Sequence, residues 1–261
     1  FFSEYSEDDD DISAISEVRV LQSGASISWK AYDDSSKWRL LGTSPLEPVR
    51  LPRGIIQLKI EKEGFETTLL TLSNPSPRLE NIPFTVDWSL DPINLQPNGS
   101  VPDGMIYIQG GNFIPALTGN GVDPVFLHPF YIDKYEVTNA DYKKFMDMGG
   151  YSNSQYWVDM DFIKDGVSLT LEEMSSVMVD STGLIGPSTW EVGTFLEGTE
   201  ELPVTGVSWY EALAYARYKG NILPPMFHWA KAAYPPAEIS SPIAPKLLKV
   251  SNFSKKGLKR I

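Results

Sequence analysis

The sequence predicts an α+β protein: a small antiparallel β-sandwich followed by a domain of short helices, scattered strands and long loops. Three observations carry that reading. Short alternating apolar runs broken by turn residues fill Val18 to Leu72, prolines crowd residues 74–104, and capped helical segments then punctuate irregular chain. At 261 residues, the chain accommodates one large domain or two ordinary ones.

The opening stretch carries Glu4, Glu7 and Asp8 to Asp11. Mutual repulsion predicts an acidic, disordered segment over 1–15, and successive aspartates lack the alternation that a calcium loop needs. Strand signals follow. Ala25 to Tyr32 alternates, Asp33 to Ser36 turns, Trp38 to Gly42 and Val49 to Pro52 read as strands, and Ile55 to Ile60 and Thr67 to Leu72 complete the set. Pro75, Pro77, Pro83, Pro92, Pro97 and Pro102 then forbid a helix and predict an extended connector, with one strand-like interlude at Phe84 to Leu90. The boundary is placed near Asn94 to Ser100, giving a β-domain over 16–93, a linker over 94–103 and a second domain over 104–261.

Within the first domain, Gly42-Thr43-Ser44-Pro45 precedes Leu51-Pro52-Arg53-Gly54, the alternating Ile56, Leu58 and Ile60, and Lys62-Glu63-Gly64-Phe65. These phrases resemble the PEGA family of β-sandwich modules, with Ser44 where that family usually carries Thr.

In the second domain, Gly104 to Phe113 reads as a strand ending in a glycine pair, and Phe126 to Ile132 as another. Thr138 or Asn139 caps a helix whose face holds Tyr142, Phe145 and Met146, and Gly149-Gly150 stops it. Ser208 with Glu211 forms a capping box before a helix ending at Gly220, with Ala212, Tyr215 and Ala216 expected inward. A third helix starts at Pro225 and runs through Trp229 to Ala233. Met160 to Glu201 reads as a long loop with a short helix at Leu171 to Met178.

Four ordered blocks carry a second resemblance: Met105 to Phe113, Phe130 to Asn139 with Tyr142 and Phe145, Leu202 to Ala212, and Leu223-Pro224 with Trp229, Ala232 and Ala233. Together they resemble the formylglycine-generating enzyme, or sulfatase-modifying factor, family. The resemblance implies a C-type lectin-like fold and the oxidation of a protein cysteine by oxygen at a thiolate-held metal. Pro225 and Met226 depart from the family's Thr and Glu at the helix start. The family's catalytic phrases and reactive cysteines are expected past Ile261, so the domain reads as incomplete. Copper or calcium is implied only for that further part, and no cofactor is expected for this chain.

Composition narrows the chemistry. The formal charge of −12 and a pI near 4.6 oppose nucleic-acid binding, which needs clustered Lys and Arg. Zero cysteines exclude disulfides, thiolate metal sites and cysteine nucleophiles, and two histidines exclude a multi-histidine centre. The acidic residues of the long loop show no paired spacing that singles out a general acid and base, so no catalytic residue is assigned. Trp157, Trp190 and Tyr156, in or beside that loop, are candidate contacts for a sugar or peptide, or else anchors into the core. His228, at a proline-rich helix start, is the fourth binding candidate.

The expected function is recognition or scaffolding within a larger bacterial signalling or envelope protein, such as the extracytoplasmic part of a serine/threonine kinase. A protein or carbohydrate ligand is expected, with membrane attachment only through the parent's anchor. The alternative is a fragment of a formylglycine-generating-type oxidase, and a self-associating scaffold fits the β edges of the first domain.

Overall fold

The computed structural model describes residues 13–32, 35–52, 54–74, 92–113 and 125–233. It is a mixed α and β structure with small antiparallel sheets. Tertiary contacts divide it into two compact units, one running to Asp133 and resuming at Pro225, the other spanning Lys134–Pro224.

The first unit begins with β1 (Ser13–Ser16), which pairs antiparallel with β4 (Val49–Pro52). β1 therefore lies partly within the segment read as unfolded. Its Ser-Ala-Ile-Ser sequence follows the charge block rather than belonging to it. β2 (Ser26–Ala31), β3 (Arg39–Thr43), β5 (Gly54–Glu61) and β6 (Thr68–Asn74) form a four-stranded sheet in the order β3-β2-β5-β6. Strand alternation turns Ile56, Leu58 and Ile60 to one face, and the register sets Ile27 opposite Ile60 and Leu72 opposite Ile56. These side chains are buried in one core with Val18 and Leu51. Ser44 is buried yet satisfied, for its Oγ accepts the Ala25 N–H at 2.9 Å and donates to the Gln22 carbonyl at 2.6 Å.

Residues 92–100, read as a connector, are built into this unit. Ile93 and Leu95 are both 2% exposed and belong to the same core. Ile93 bridges Val20, Phe65 bridges Pro97, and Glu66 N–H donates to the Gln96 carbonyl at 2.8 Å. Proline density correctly forbids a helix here but does not prevent an extended segment from packing. The strand-like interlude at 84–90 lies outside the described residues.

The stretches read as single strands each divide in two. Gly104 to Phe113 becomes β7 (Met105–Ile108) and β8 (Gly111–Phe113), and Phe126 to Ile132 becomes β9 (Val125–Leu127) and β10 (Phe130–Asp133). β7 pairs with β10 and β8 with β9. The breaks fall together because Gly110 packs against the backbone at Leu127 and Pro129, where a Cβ would come within 2.7 Å. Gln109 ties this ladder to the connector, donating to the Pro92 carbonyl at 2.8 Å and accepting from Asn94 N–H at 3.0 Å.

In the second unit, Thr138 caps α1 (Asn139–Asp147), and its Oγ1 accepts the Asp141 N–H at 3.1 Å. A 3₁₀ turn spans Ser154–Trp157, and β11 (Phe162–Lys164) and β12 (Val167–Leu169) form a hairpin. α2 (Leu171–Ser175) and α3 (Trp209–Tyr218) each start with a complete capping box, Thr170 with Glu173 and Ser208 with Glu211. α4 (Met226–Ala233) belongs to the first unit. Among the described residues no helix is long and apolar enough to cross a membrane.

Candidate functional site

The second unit is organised by an aromatic core on α1 and α3. Tyr142 and Phe145 are nearly inaccessible, and Tyr215 stacks on Tyr142 with ring centroids 5.5 Å apart. Phe145 leaves no room for a side chain at position 150, since a Cβ on Gly150 would lie 2.2 Å from its ring. That close approach, rather than a turn conformation alone, explains the glycine.

Through this core runs a chain of hydroxyls ending on a buried carboxylate. α3 buries Tyr215 and Ala216 as expected, with Ala214 and Glu211 buried where Ala212, only half-buried, was expected. The Glu211 carboxylate therefore lies inward, 3% exposed. Its Oε2 accepts the Ser208 N–H at 2.6 Å, completing the capping box, and its Oε1 accepts the Tyr151 hydroxyl at 2.5 Å. Tyr142 and Tyr151 share a further hydrogen bond at 3.1 Å. With the Tyr151 proton committed to the carboxylate, Tyr142 is the donor of that second bond. Burial first, and then neighbouring charge, pushes both phenols far above the ordinary tyrosine range, so they remain donors.

Glu211 also borders a cavity of about 340 Å³. Met174, Met178, Val179 and Val207 give it an apolar wall, while Ser188, Ser208 and Glu211 supply polar groups. The volume is at the lower end of small-ligand pockets, ~300–1,000 Å³. One wall depends on Gly206, at φ 77°, where a Cβ would meet the Ser188 Oγ and Thr189 N at 2.7 Å. This closeness lets Ser188 N–H donate to the Gly206 carbonyl at 2.8 Å.

A second polar centre, Asp180, fixes the neighbouring loop. Its Oδ1 accepts from Thr182 N–H at 2.8 Å, Thr182 Oγ1 at 2.7 Å and Leu184 N–H at 3.0 Å, and its Oδ2 from Gly193 N–H at 2.7 Å. Burial pushes the carboxyl up, but these hydrogen bonds outweigh it and hold the group at about 2.

Three of the four binding candidates fall in this unit, as parts of its core. Trp157 is 4% exposed and donates from Nε1 to the Gly150 carbonyl at 2.9 Å. Trp190 is 3% exposed and donates to Asn139 Oδ1 at 3.1 Å. Tyr156 is half-buried between Phe145 and Tyr218, at 6.1 and 5.8 Å between centroids. Trp190 and Tyr156 anchor irregular chain to helices, and Trp157 ties its turn to the Gly150–Tyr151 loop and Phe162. His228 is separate, on α4 of the first unit, 4.8 Å from the Phe130 ring, and its Nδ1 is enclosed with no hydrogen-bond partner among the described residues. The structure thus gathers Tyr156, Trp157 and Trp190 in one unit and leaves His228 out. The Glu211–Tyr151–Tyr142 chain had only one sequence signal, the capping box. Asp180 had none.

The donor set does not fit a thiolate-held copper, because the chain contains no cysteine. Nor do the described residues bring together three His, Asp or Glu side chains able to hold a metal ion.

Comparison with known families agrees with the architecture. The model of the sulfatase-modifying factor enzyme 1-like domain matches residues 93–238, and the chain belongs to that family. Among its relatives is the uncharacterized protein YfmG of Bacillus subtilis, 35% identical over 50% of this chain and 25% of its own length. The serine/threonine-protein kinase pkn1 of Chlamydia caviae is 28% identical over 49% of this chain and 19% of its own. A mouse relative named inactive C-alpha-formylglycine-generating enzyme 2 is 28% identical over 58% of this chain and 54% of its own. The chain thus spans about a fifth to a half of the length of these relatives.

Proposed function

We propose that this chain is a non-catalytic recognition or scaffolding region of a larger bacterial signalling or envelope protein, placed outside the cytoplasm. The observation that carries the reading is the absence of every cysteine from a chain of a family whose oxidation chemistry, as the resemblance implies it, runs on thiols. Two relatives support it: one is named an inactive enzyme, and in the kinase the match occupies only a fifth of the chain. Residues 16–93 serve as a PEGA-type β-sandwich module, and the aromatic core of the second unit holds irregular loops as a binding surface for protein or carbohydrate. Membrane association comes through the parent's anchor, and the acidic balance keeps nucleic acid away.

The competing reading, a formylglycine-generating-type oxidase fragment, rests on the family match itself. One assay separates the two. The full-length parent protein is incubated with a cysteine-containing peptide, copper and oxygen, and the peptide mass is followed. Recognition predicts an unchanged mass, whereas conversion of the cysteine overturns it.

A further inference from the structure

Val192 occupies φ 53°, a left-handed conformation that β-branched residues rarely adopt. It is the first central residue of a tight hairpin turn. Glu191 N–H donates to the Thr194 carbonyl at 3.0 Å, Thr194 N–H donates back at 3.1 Å, and Gly193 completes the turn at φ 71°. Turns of this type take Asn, Asp or Gly at that position. Valine gains nothing there from the core, since it is 71% exposed. An apolar, strained residue held out at a turn tip points to a function rather than to folding.

The base of the turn is well fixed. Asp180 receives Gly193 N–H and Leu184 N–H, and Thr182 Oγ1 accepts Val192 N–H at 2.9 Å. Leu184 sits beside the turn, 3.7 Å from where a Cβ on Gly193 would stand, and is exposed together with Ile185 and Leu196. Val192 and Leu184 thus stand over a rigid polar anchor, with the exposed Ile185 one residue after Leu184 and the exposed Leu196 four after Val192. Exposed carboxylates flank them: Glu191 precedes the turn and Glu197 follows Leu196, and from Asp165 to Ala216 the sequence carries nine Asp and Glu and no Lys, Arg or His.

We propose that the Val192 turn, with Leu184, Ile185 and Leu196, is a docking knob for a partner protein that presents an apolar pocket ringed by Lys and Arg. Charge selects this occupant, because a second copy of the same acidic face is repelled. The inference rests on the recognition reading and names the surface and partner class for it.

The test uses the full-length parent protein in its own cells, with a photo-crosslinking amino acid at Leu196 and, separately, at Trp38 in the first unit. Expected is a crosslink from position 196 that maps to a Lys- and Arg-flanked apolar site. The substitution Val192→Asn, which suits the turn and keeps the fold, should reduce its yield at least fivefold while raising Tm by about 2 °C or more. An unchanged yield in Val192→Asn, a crosslink to a second copy, or a mapped site without basic residues overturns the knob. Capture from position 38 alone discards the knob and leaves recognition standing, whereas capture from neither position discards both.

Discussion

The Tyr151 hydroxyl donates to Glu211 Oε1 at 2.5 Å across 60 residues of sequence, joining the loop after α1 to the first turn of α3. Because both groups are buried, removing the donor strands a carboxylate oxygen. Tyr151→Phe should therefore cost about 1–3 kcal/mol in urea denaturation. Tyr142→Phe leaves the Tyr151–Glu211 bond in place and should cost only about 1 kcal/mol. The double variant should lose less than the sum, since the three groups form one network. A loss in the double variant equal to the sum of the two would show that the hydroxyls act independently.

Gly206 is fixed by both conformation and space. Gly206→Ala forces a methyl into the Ser188 and Thr189 contact at positive φ, whereas Gly183→Ala, also at positive φ, meets nothing within 4 Å. Left-handed strain alone costs about 1–3 kcal/mol. Gly206→Ala should therefore lower Tm distinctly more than Gly183→Ala, and matching Tm values would remove the close approach from the account.

Asp180 makes stability depend on acid pH with a definite sign. Its folded carboxyl, at about 2, lies below its ordinary 3.8, so its contribution is complete above about pH 4 and is lost as pH falls through 2. Asp180→Asn cannot accept the Gly193 N–H through its amide nitrogen and should melt lower at pH 6. The Tm gap from the parent should narrow between about pH 4 and pH 2. A gap that stays constant over that range would mean the carboxylate charge is not what the loop uses.

Leu95 tests whether the connector stretch belongs to the core of the first unit. If residues 92–97 are core rather than tether, Leu95→Ala should cost about 2–5 kcal/mol, as deletion of a buried leucine side chain does. Replacement of the half-buried Gln96 by Ala should move the melting curve far less. Similar small effects at both positions would return this stretch to the role of linker.

Much of the local structure was legible in the chain, and the reasons are local. Capping at Ser208–Glu211, the helix start at Thr138 and the alternation of Ile56, Leu58 and Ile60 are written within one turn or one strand. The breaks in the paired strands were harder to see, because Gly110 is constrained by the backbone at Leu127 and Pro129, far along the sequence. Trp157 and Trp190 could be named as candidates but not placed, since an indole serves a core or a ligand equally well until its surroundings are known.

The sequence by itself determined the absence of thiol chemistry, the acidic character and the periodicities that set helices and strands. These follow from residue identity and short spacing. Tertiary structure decided which carboxylates are buried, that Glu211 meets Tyr151, that Asp180 gathers a loop and that Val192 stands strained at a turn tip. Burial and long-range hydrogen bonding depend on where the chain returns in space, and no local pattern encodes that return.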